Sequence, residues 1–594
     1  MNEDTRNWIA FSVIALILFV LYQQFVIGPA AKRAQKAHVQ AVAAAPASPV
    51  KTPSEPDLSR PAALVRTQRV AISTPSLVGS LAVQGARLDD LFLRNYHVDV
   101  SNTSPMVELL RPEGMKDAYF AVEGWSGANL AELPGANTTW SLAKGGTLSP
   151  GHPVVLTYSS PAGLAFTRTI SVDPKFLFTV TDQVVNRSAS SVVLDPYVSI
   201  QRQGLPPDPH RSSIVHEGAV GVLGVGSAEL RLASYKDWLK KGEEDWQSKG
   251  GWLGITDKYW MTAFIPTQSD DIAAKIRVVK DPTTGIDIYE ATYSAAPRSL
   301  SPGASLTFTS HLFSGAKTVP VLKTYEKSTG APRFVDAVDW GHLWFLTKPI
   351  FWLLEKFHGA VGNFGVAIIM LTIVIRIVTF PLAIKGFEMG VKMKKLQPQI
   401  KEMQAKYKED RAAQQKEMMA LYAREKVNPV TGCFPMLIPI PVFYALDKIF
   451  TVSIEMRHAP FFGWIHDLSA RDPTTFLNLF GLIPWHPAST PLIGSILGGV
   501  LHVGAWPLLY GATMWLSQTM NPQTGIDPTQ QAIFKLIPIV FTFFMAQYSV
   551  GLLIYWTWSS LITVIQQYVM MRRFKVNNPI DDFLARVWAR PEPS

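Results

Sequence analysis

The sequence is poor in charged residues and almost free of cysteine. Only 17% of its 594 residues are Asp, Glu, Lys or Arg, and 47% are hydrophobic, whereas the charged fraction of soluble domains averages roughly 25%. This shortage argues against an ordinary soluble enzyme, a disordered protein or a fibre, and it suggests that part of the chain faces lipid. The single cysteine, Cys433, excludes an intrachain disulfide framework and any zinc or iron–sulfur site built from several cysteines.

Apolar runs long enough to cross a bilayer occur six times. We predict membrane spans at residues 8–27, 364–384, 433–450, 501–520, 530–548 and 551–571. Together they contain four charged residues, Arg376, Asp447, Lys448 and Lys535. The first run could also be a cleaved signal peptide, but it exceeds the usual apolar core of about 7–15 residues, so an uncleaved N-terminal anchor is favoured. The glycine-rich stretch before the fourth span could extend it, re-enter the membrane or lie at its surface.

Basic residues concentrate in two segments between and after these spans. Residues 385–428 hold eleven Lys and Arg against six acidic residues, and residues 572–594 hold five Lys and Arg. Short loops enriched in Lys and Arg stay in the cytosol, so we predict that both termini are cytosolic and that residues 28–363 and 451–500 lie outside. The net charge of +9 is modest for this length, and no direct binding of nucleic acid is expected.

Residues 61–330 show a different pattern, in which short alternating runs are broken by Gly, Pro, Asn and Asp. Typical runs are VVLTY at 154–158, LAFTRTISV at 164–172 and SLTFTSHL at 305–312. Many strands at short spacing predict a large β-sandwich, joined to the first span by an Ala/Pro-rich linker at 28–60. The sequence contains no phosphate-binding loop, nucleophile elbow or HExxH motif, so the corresponding nucleotide, hydrolase and metal chemistries are not expected.

The basic segment 385–428 has the pattern of a charged helical hairpin. Its first arm carries apolar residues at spacings of three and four, and its second arm carries a shorter set. The methionines of this pattern are Met389, Met393, Met403, Met418 and Met419. Pro398 is expected to interrupt and kink the first arm. Adaptable methionines suit a docking surface for another protein, while a self-paired coiled coil is an equally good interpretation.

Residues 340–357 (WGHLWFLTKPIFWLLEKF) contain three Trp and three Phe with polar interruptions. This composition predicts a helix that lies in the outer membrane interface and does not cross the bilayer.

The charge that most needs an explanation is Arg376, near the middle of the second predicted span. Insertion scales place the cost of an arginine there at about 2.5–3.5 kcal/mol. Thr372 and Thr379 lie one turn away on either side, so one helical face presents Thr, Arg and Thr. The only acid in the predicted spans, Asp447, should lie about 9 Å away in depth at the helical rise per residue. A water-filled cavity open to the cytosol is therefore favoured over an ion pair.

The sixth predicted span carries a second polar stripe. Its members recur at helical spacing with a tyrosine beside them: Tyr555, Trp556, Ser559, Ser560, Thr563 and Gln567. Small hydroxyl residues also mediate helix packing, so the stripe by itself leaves the choice open. Together with an arginine that lacks an obvious partner, it favours a hydrated groove.

Several segments resemble the bacterial YidC family of membrane protein insertases. They are WGHLWFLTKPIF…GNFGVAIIMLTIVIRIVTFPL at 340–382, MMALYAREKVNPVTGCFPMLIPIP at 418–441, APFFGWIHDLSARD at 459–472 and TVIQQY at 563–568. A further segment, GWLGITDKYWMTAFIP at 251–266, resembles the periplasmic domain of that family. The resemblance covers nearly the whole chain, and the motifs occur in the family's order.

The resemblance implies an inner-membrane insertase and chaperone that works alone or with the Sec translocon, through a hydrophilic groove open to cytosol and lipid. It implies a polytopic α-helical fold of six transmembrane helices, five of them forming an insertase core within 331–594, and a periplasmic β-supersandwich at 61–330. Implied partners are nascent inner-membrane proteins, lipids and, through the cytosolic loops, the ribosome and the signal recognition particle pathway. No cofactor, metal or enzymatic activity is implied.

The family's groove arginine falls on Arg376, and its threonine one turn earlier falls on Thr372. A substrate-contacting aromatic of the last span is tyrosine in relatives and Trp556 here, while Pro439 stands where some relatives have glutamine. Residues 480–505 are an insertion relative to shorter relatives.

Two other functional classes stay open. One is a membrane-anchored carbohydrate-binding or carbohydrate-active protein, which would need paired carboxylates. The other is a solute transporter, which would be expected to show inverted repeats.

Overall fold

The computed structural model describes residues 58–101, 103–127, 130, 132–206, 215–282, 284–407, 410–425, 439–485, 487–490, 493–499, 501–520, 528–575 and 578–581. The predicted first span, most of the predicted linker and Cys433 lie outside these residues. The chain divides into two compact units. The first, here called the β unit, comprises Thr52–Lys348 and Lys448–Ala459; the second, the helical unit, includes Pro349–Asp447 and Pro460–Ser594.

Two β-sheets form the β unit. Their strands are β1 Arg69–Ser73, β2 Leu77–Ala82, β3 Arg87–His97, β4 Met106–Leu110, β5 Tyr119–Ser126, β6 Ser141–Lys144, β7 Thr147–Leu148, β8 Val154–Ser160, β9 Leu164–Val172, β10 Leu177–Asn186, β11 Val192–Gln203, β12 Gly218–Leu223, β13 Glu229–Ser234, β14 Glu243–Lys249, β15 Trp252–Thr256, β16 Trp260–Pro266, β17 Asp271–Lys280, β18 Asp287–Ala295, β19 Arg298–Leu300 and β20 Ser305–Ala316.

The larger sheet has the order β14-β17-β18-β11-β5-β3-β2-β1-β7, with β4 paired to β3 and β19 paired to β11. The other has the order β13-β12-β15-β16-β20-β10-β9-β8-β6. Rings from the two sheets meet in the core: Trp125 of β5 lies 5.9 Å from Phe166 of β9 and 6.0 Å from Phe308 of β20, centroid to centroid. The runs expected at 154–158, 164–172 and 305–312 are present as β8, β9 and β20. The prediction of a β-rich region is confirmed.

A polar cluster lies between the sheets. Arg168, which is 1% exposed, donates from Nε and from a terminal nitrogen to the two carboxylate oxygens of Asp182, both at 2.7 Å. Trp125 Nε1 donates to the same carboxylate at 2.7 Å. Glu123 accepts from Ser310 Oγ at 2.8 Å, and its burial raises the pKa of its carboxyl to about 7. The core of the sandwich thus contains an ionic network whose charged groups are hydrogen-bonded. This network was not predicted from the sequence.

The segment Lys448–Ala459 is part of the β unit. Lys448 Nζ donates to Asp339 Oδ2 at 2.5 Å, and Glu455 accepts from the backbone N–H of Val319 at 2.9 Å. Arg457 donates to the carbonyl oxygen of His97 at 2.6 Å. Lys448 was placed within the third predicted span, and its ammonium is buried in an ion pair of the β unit.

The helices are, in chain order, α1 Arg60–Leu64, α2 Tyr235–Lys241, α3 Val319–Thr329, α4 Trp344–Val361, α5 Phe364–Lys406, α6 Arg411–Arg424, α7 Pro439–Val452, α8 Gly494–Leu497, α9 Ala505–Met520, α10 Pro528–Met545 and α11 Val550–Arg573. Short 3₁₀ turns lie at Phe334–Ala337, Ile454–Met456, Phe476–Gly481 and Pro487–Ser489. The interfacial helix expected at 340–357 begins four residues later, as α4. It exposes Trp344, Phe345 and Trp352.

Helix α5 is 43 residues long and joins the second predicted span to the first arm of the hairpin. The helix continues through Pro381 and Pro398, so Pro398 does not end it. Its part Phe364–Met389 has a mean hydropathy of 2.4 and is the one helix among the described residues that is long and apolar enough to cross a membrane. Helices α7, α9, α10 and α11 overlap the predicted spans 433–450, 501–520, 530–548 and 551–571, while the described residues 501–504 and 546–548 are not helical.

Candidate functional site

Arg376 of α5 donates hydrogen bonds to the side chain of Ser559 on α11. Its Nε donates to Ser559 Oγ at 2.9 Å, and a terminal nitrogen donates to the same oxygen. Within the described residues no carboxylate forms an ion pair with this guanidinium. A guanidinium carries five N–H donors, and one hydroxyl oxygen cannot satisfy all of them. The structure thus brings together Arg376 and Ser559, two residues of the proposed groove, and one hydroxyl leaves part of the donor capacity of the guanidinium unused.

The predicted threonines bind their own helices. Thr372 is fully buried and its Oγ1 donates to the carbonyl oxygen of Ile368 at 2.7 Å. Thr379 Oγ1 donates to Ile375 O at 2.9 Å, and Thr563 Oγ1 donates to Ser559 O at 2.8 Å. Bonds of this kind within one helix are common for threonine. They leave the oxygen lone pairs of Thr379 and Thr563 as acceptors on half-buried side chains, whereas Thr372 is enclosed.

Trp556 lies in an aromatic cluster formed by three helices. Its ring is 6.0 Å from Phe443 of α7, 6.2 Å from Tyr510 of α9 and 5.7 Å from Tyr555, measured between centroids. Its indole Nε1 is buried and has no acceptor among the described residues, although a buried indole N–H usually finds one. Trp556 and Tyr555 were predicted from the sequence, whereas Phe443 and Tyr510 were not, because the packing of aromatic residues on separate helices leaves no periodic signal.

The polar stripe of α11 divides along its length. Ser559 faces Arg376, while the neighbouring Ser560 is half-buried. One turn beyond Thr563, Gln567 is 9% exposed, and its Oε1 has no donor among the described residues. The end of α11 that follows is an apolar cluster in which Phe387, Val391, Met520, Val564, Met570 and Met571 are buried. The polar stripe of α11 is therefore followed by an apolar contact between α5, α9 and α11.

The hairpin packs mainly against itself. Leu396, Ile400 and Leu421 are buried between its arms, with Met389, Met403, Met418 and Tyr422 against them. Met419 is the exception, since its side chain is 60% exposed. The side chain of Met393 lies outside the described residues. Three of the five methionines proposed as docking residues thus lie in the internal seam, because the same three-and-four spacing that produces an apolar stripe also pairs the two arms.

Two further points concern the side chain of Pro439 and possible metal ligands. Pro439 begins α7, where the missing N–H of proline is tolerated, and it offers no polar side chain. In the described part of the chain, no group of three or more His, Cys, Asp or Glu residues is positioned to hold a metal ion.

Two known protein families match consecutive parts of the chain. Residues 69–353 match the family described as the YidC periplasmic domain, and residues 356–578 match the family described as 60Kd inner membrane protein. The membrane protein insertase YidC of Caulobacter vibrioides strain NA1000 is 50% identical over 613 residues, covering 99% of each chain. That of Maricaulis maris strain MCS10 is 44% identical, again covering 99% of each chain. A crystal structure of an active YidC insertase with its first transmembrane domain resolved covers 87% of this chain and 95% of its own, at 14% identity and a TM-score of 0.35.

Proposed function

The chain belongs to the YidC family of membrane protein insertases, an inner-membrane family with a periplasmic domain, and from this premise we propose that it inserts membrane proteins through a groove centred on Arg376. The observation that carries the proposal is the contact of Arg376 with Ser559. A charge within a spanning helix is held by a neutral hydroxyl, and within the described residues no acid neutralises it. Its electrostatic field is therefore available to a substrate.

The proposed mechanism lowers the cost of moving polar groups into the membrane. A substrate segment with a short hydrophilic flank enters from the cytosol, and the spare N–H donors of Arg376 solvate carboxylates and backbone carbonyls of that flank. The Thr379 and Thr563 oxygens supply acceptors for its N–H groups. Because unpaired polar groups are costly in an apolar medium, these contacts reduce the barrier part-way across the bilayer. No nucleotide and no covalent step is involved, so the protein is not an enzyme.

The apolar part of the substrate then leaves the groove along α7 and α11. Transfer of its side chains into lipid supplies the driving force, and for acidic flanks the membrane potential adds to it. Trp556 lies at this exit, with Phe443 and Tyr510 around its ring and an indole N–H that lacks an acceptor among the described residues. This donor suits a backbone carbonyl of a passing segment.

The proposed topology has six spans, with five in the insertase core and both termini in the cytosol. Helix α5 supports it, since one continuous helix carries the apolar span and the basic arm, and the arm must then emerge on the side to which Lys and Arg are retained. For partners beyond nascent inner-membrane proteins, we propose that the outer face of the hairpin around the exposed Met419 contacts the ribosome, the signal recognition particle pathway or the Sec translocon. Family membership does not favour a carbohydrate-active protein or a solute transporter.

Site-specific photo-crosslinking tests the groove. A photoreactive residue replaces Trp556 in the full-length protein, which is then presented with ribosome-stalled chains of a single-span membrane protein. A matched probe replaces Ile565, which lies on the same helix with 61% of its side chain exposed. Thr372 is a poor probe position because it is fully buried. The proposal expects substrate adducts at position 556 at an early chain length and few at 565, while equal adducts at both positions would count against a groove.

A further inference from the structure

The segment between Asp472 and the start of α9 presents a large apolar surface. No Asp, Glu, Lys or Arg occurs in residues 473–504. The exposed fractions are 83% for Leu482, 53% for Leu479 and 45% for Phe480, and Phe476, Ile483 and Trp485 are also exposed. We call residues 476–485 the apolar loop. A contiguous exposed surface of this kind marks contact with another apolar phase.

The polar groups of the apolar loop are paired within it and with the adjacent Thr475 and Thr490. Asn478 donates from Nδ2 to Trp485 O at 3.1 Å and accepts the backbone N–H of Gly481 at Oδ1 at 3.0 Å. The backbone N–H of Phe480 donates to Thr475 O at 2.9 Å. Trp485 Nε1 donates to Thr490 Oγ1 at 3.2 Å. Irregular backbone can leave water only when its polar groups are paired in this way.

The same bonds hold the tip in an unusual conformation. Leu479 and Phe480 have φ values of 50° and 60°, in the left-handed region that costs a bulky residue about 1–3 kcal/mol. Two consecutive residues of this kind persist only because the surrounding bonds fix them. The result is a rigid turn that directs large apolar side chains outward.

The base of the loop is fastened to the first turn of α9. Asp472, which is 2% exposed, accepts the backbone N–H of Trp506 at 2.8 Å. Thr474 Oγ1 accepts the N–H of Ala505 at 3.0 Å, and Trp464 Nε1 donates to Asp472 at 3.2 Å. Because α9 is the fourth proposed span, this clamp sets the apolar loop beside the outer end of a membrane-spanning helix.

We propose that the apolar loop inserts its exposed side chains into the lipid interface of the outer leaflet, next to the start of α9. Lipid fits the loop better than a protein partner, since protein interfaces have polar rims and favour arginine, whereas this stretch is free of charge. The expected depth is shallow, about 5–10 Å into the headgroup and acyl boundary. Residues 480–505 would then extend the membrane contact of the insertase without crossing the bilayer. The inference rests on the proposed topology.

Fluorescence quenching in vesicles tests the inference. The full-length protein carries Cys433→Ser and one new cysteine labelled with an environment-sensitive dye, and it is reconstituted into phosphatidylethanolamine–phosphatidylglycerol vesicles. The test positions are Leu482→Cys and, independently, Ile483→Cys. Ile377→Cys of α5, 65% exposed, serves as the bilayer reference, and Val225→Cys of the β unit, 73% exposed, serves as the aqueous reference. Quenchers are lipids with a shallow or a deep doxyl group, and iodide in water.

For a shallow lipid contact, the shallow doxyl lipid quenches the two loop positions at least about twofold more than the deep one, and iodide quenches them less than it quenches position 225. Iodide quenching equal to that of position 225, without doxyl quenching, would overturn the inference. Protection from both quenchers would also overturn it, because protein and not lipid would then cover the loop. If position 377 is not quenched by the deep doxyl lipid, the proposed topology itself fails.

Discussion

Arg376 on α5 directs two of its N–H groups at one oxygen, the Oγ of Ser559 on α11. The two residues are 183 positions apart in the sequence, so this contact joins the first and last helices of the described helical unit that bear groove residues. The contact holds the guanidinium against α11, and in the proposed mechanism its other N–H donors bind the substrate.

Replacement of Ser559 by Ala should lower both stability and insertion. It removes the described acceptor of Arg376 and leaves the charge poorly satisfied, at a cost of about 1–3 kcal/mol in the free energy of unfolding. Ser560→Ala is the matched control, since Ser560 is adjacent on the same helix and no hydrogen bond to Arg376 joins it. Thermal unfolding in detergent and insertion of a single-span substrate would be measured for both. Equal effects of the two substitutions would show that the contact with Ser559 has no special role.

The buried Glu123 predicts a pH dependence of stability in the β unit. Burial raises its pKa from the ordinary 4.5 to about 7, so between these values the folded protein binds a proton that the unfolded chain has lost. This contribution to the free energy of unfolding is present in full below pH 4.5 and is lost as pH rises through 7. At about 1.4 kcal/mol per pKa unit, the loss is about 3–4 kcal/mol.

Glu123→Gln removes this titration while keeping an acceptor for Ser310. The stability of the variant relative to the original protein should therefore rise by about 3–4 kcal/mol between pH 4.5 and pH 8. Intrinsic fluorescence is a suitable probe, because Trp125 lies in the same cluster through its bond to Asp182. A stability difference that stays constant over this pH range would mean that Glu123 is ionised throughout.

The pair Lys448–Asp339 predicts a strong coupling energy. Burial raises the pKa of Asp339, but the Lys448 ammonium outweighs it and brings the pKa below its usual value. Lys448→Met should destabilise the β unit by about 1–3 kcal/mol, because it leaves a half-buried carboxylate without its cation. Adding Asp339→Asn should recover much of that loss. A double-mutant cycle on chemical unfolding checks this, and additive effects would show that the pair is not coupled.

Neighbouring methionines of the hairpin should behave differently. Met418 lies in the internal seam, so Met418→Ser should expose the hairpin to proteolysis. Met419 is 60% exposed, so Met419→Ser should leave proteolysis unchanged and weaken binding to ribosome–nascent-chain complexes severalfold. Sedimentation of these complexes with detergent-solubilised protein measures the binding. Unchanged binding of the Met419 variant would place the docking surface elsewhere.

Features that depend on periodicity within one element could be predicted from the sequence. The alternation LAFTRTISV predicts β9. It also places Arg168 on the same inward face as Phe166 and Ile170, which indicates a buried charge, although no buried ionic cluster was predicted from it. Arg376 and its threonines share a helical face because their spacing is close to one turn. Among the described residues, the hydropathy of Phe364–Met389 gives the one span that stands out by length and composition.

Features that depend on the rotation of one element against another could not be predicted. Ser559 and Ser560 are equivalent in the pattern, and only the packing of α11 on α5 decides which hydroxyl meets Arg376. For the methionines of the hairpin, too, the sequence pattern does not determine whether the apolar stripe faces outward or inward. The prediction that Pro398 interrupts the first arm of the hairpin was wrong. Helix α5 continues through this residue and loses one backbone hydrogen bond there.

The most direct measurement is insertion by full-length Arg376 variants in reconstituted vesicles. The substrate is a single-span protein with an acidic flank, and protease protection of that flank measures insertion. Arg376→Ala and Arg376→Glu should reduce insertion severalfold, with Glu the more severe because it repels the flank, while Arg376→Lys should retain part of the activity through its positive charge. Undiminished insertion by Arg376→Ala, in protein that folds and reconstitutes normally, would contradict the account.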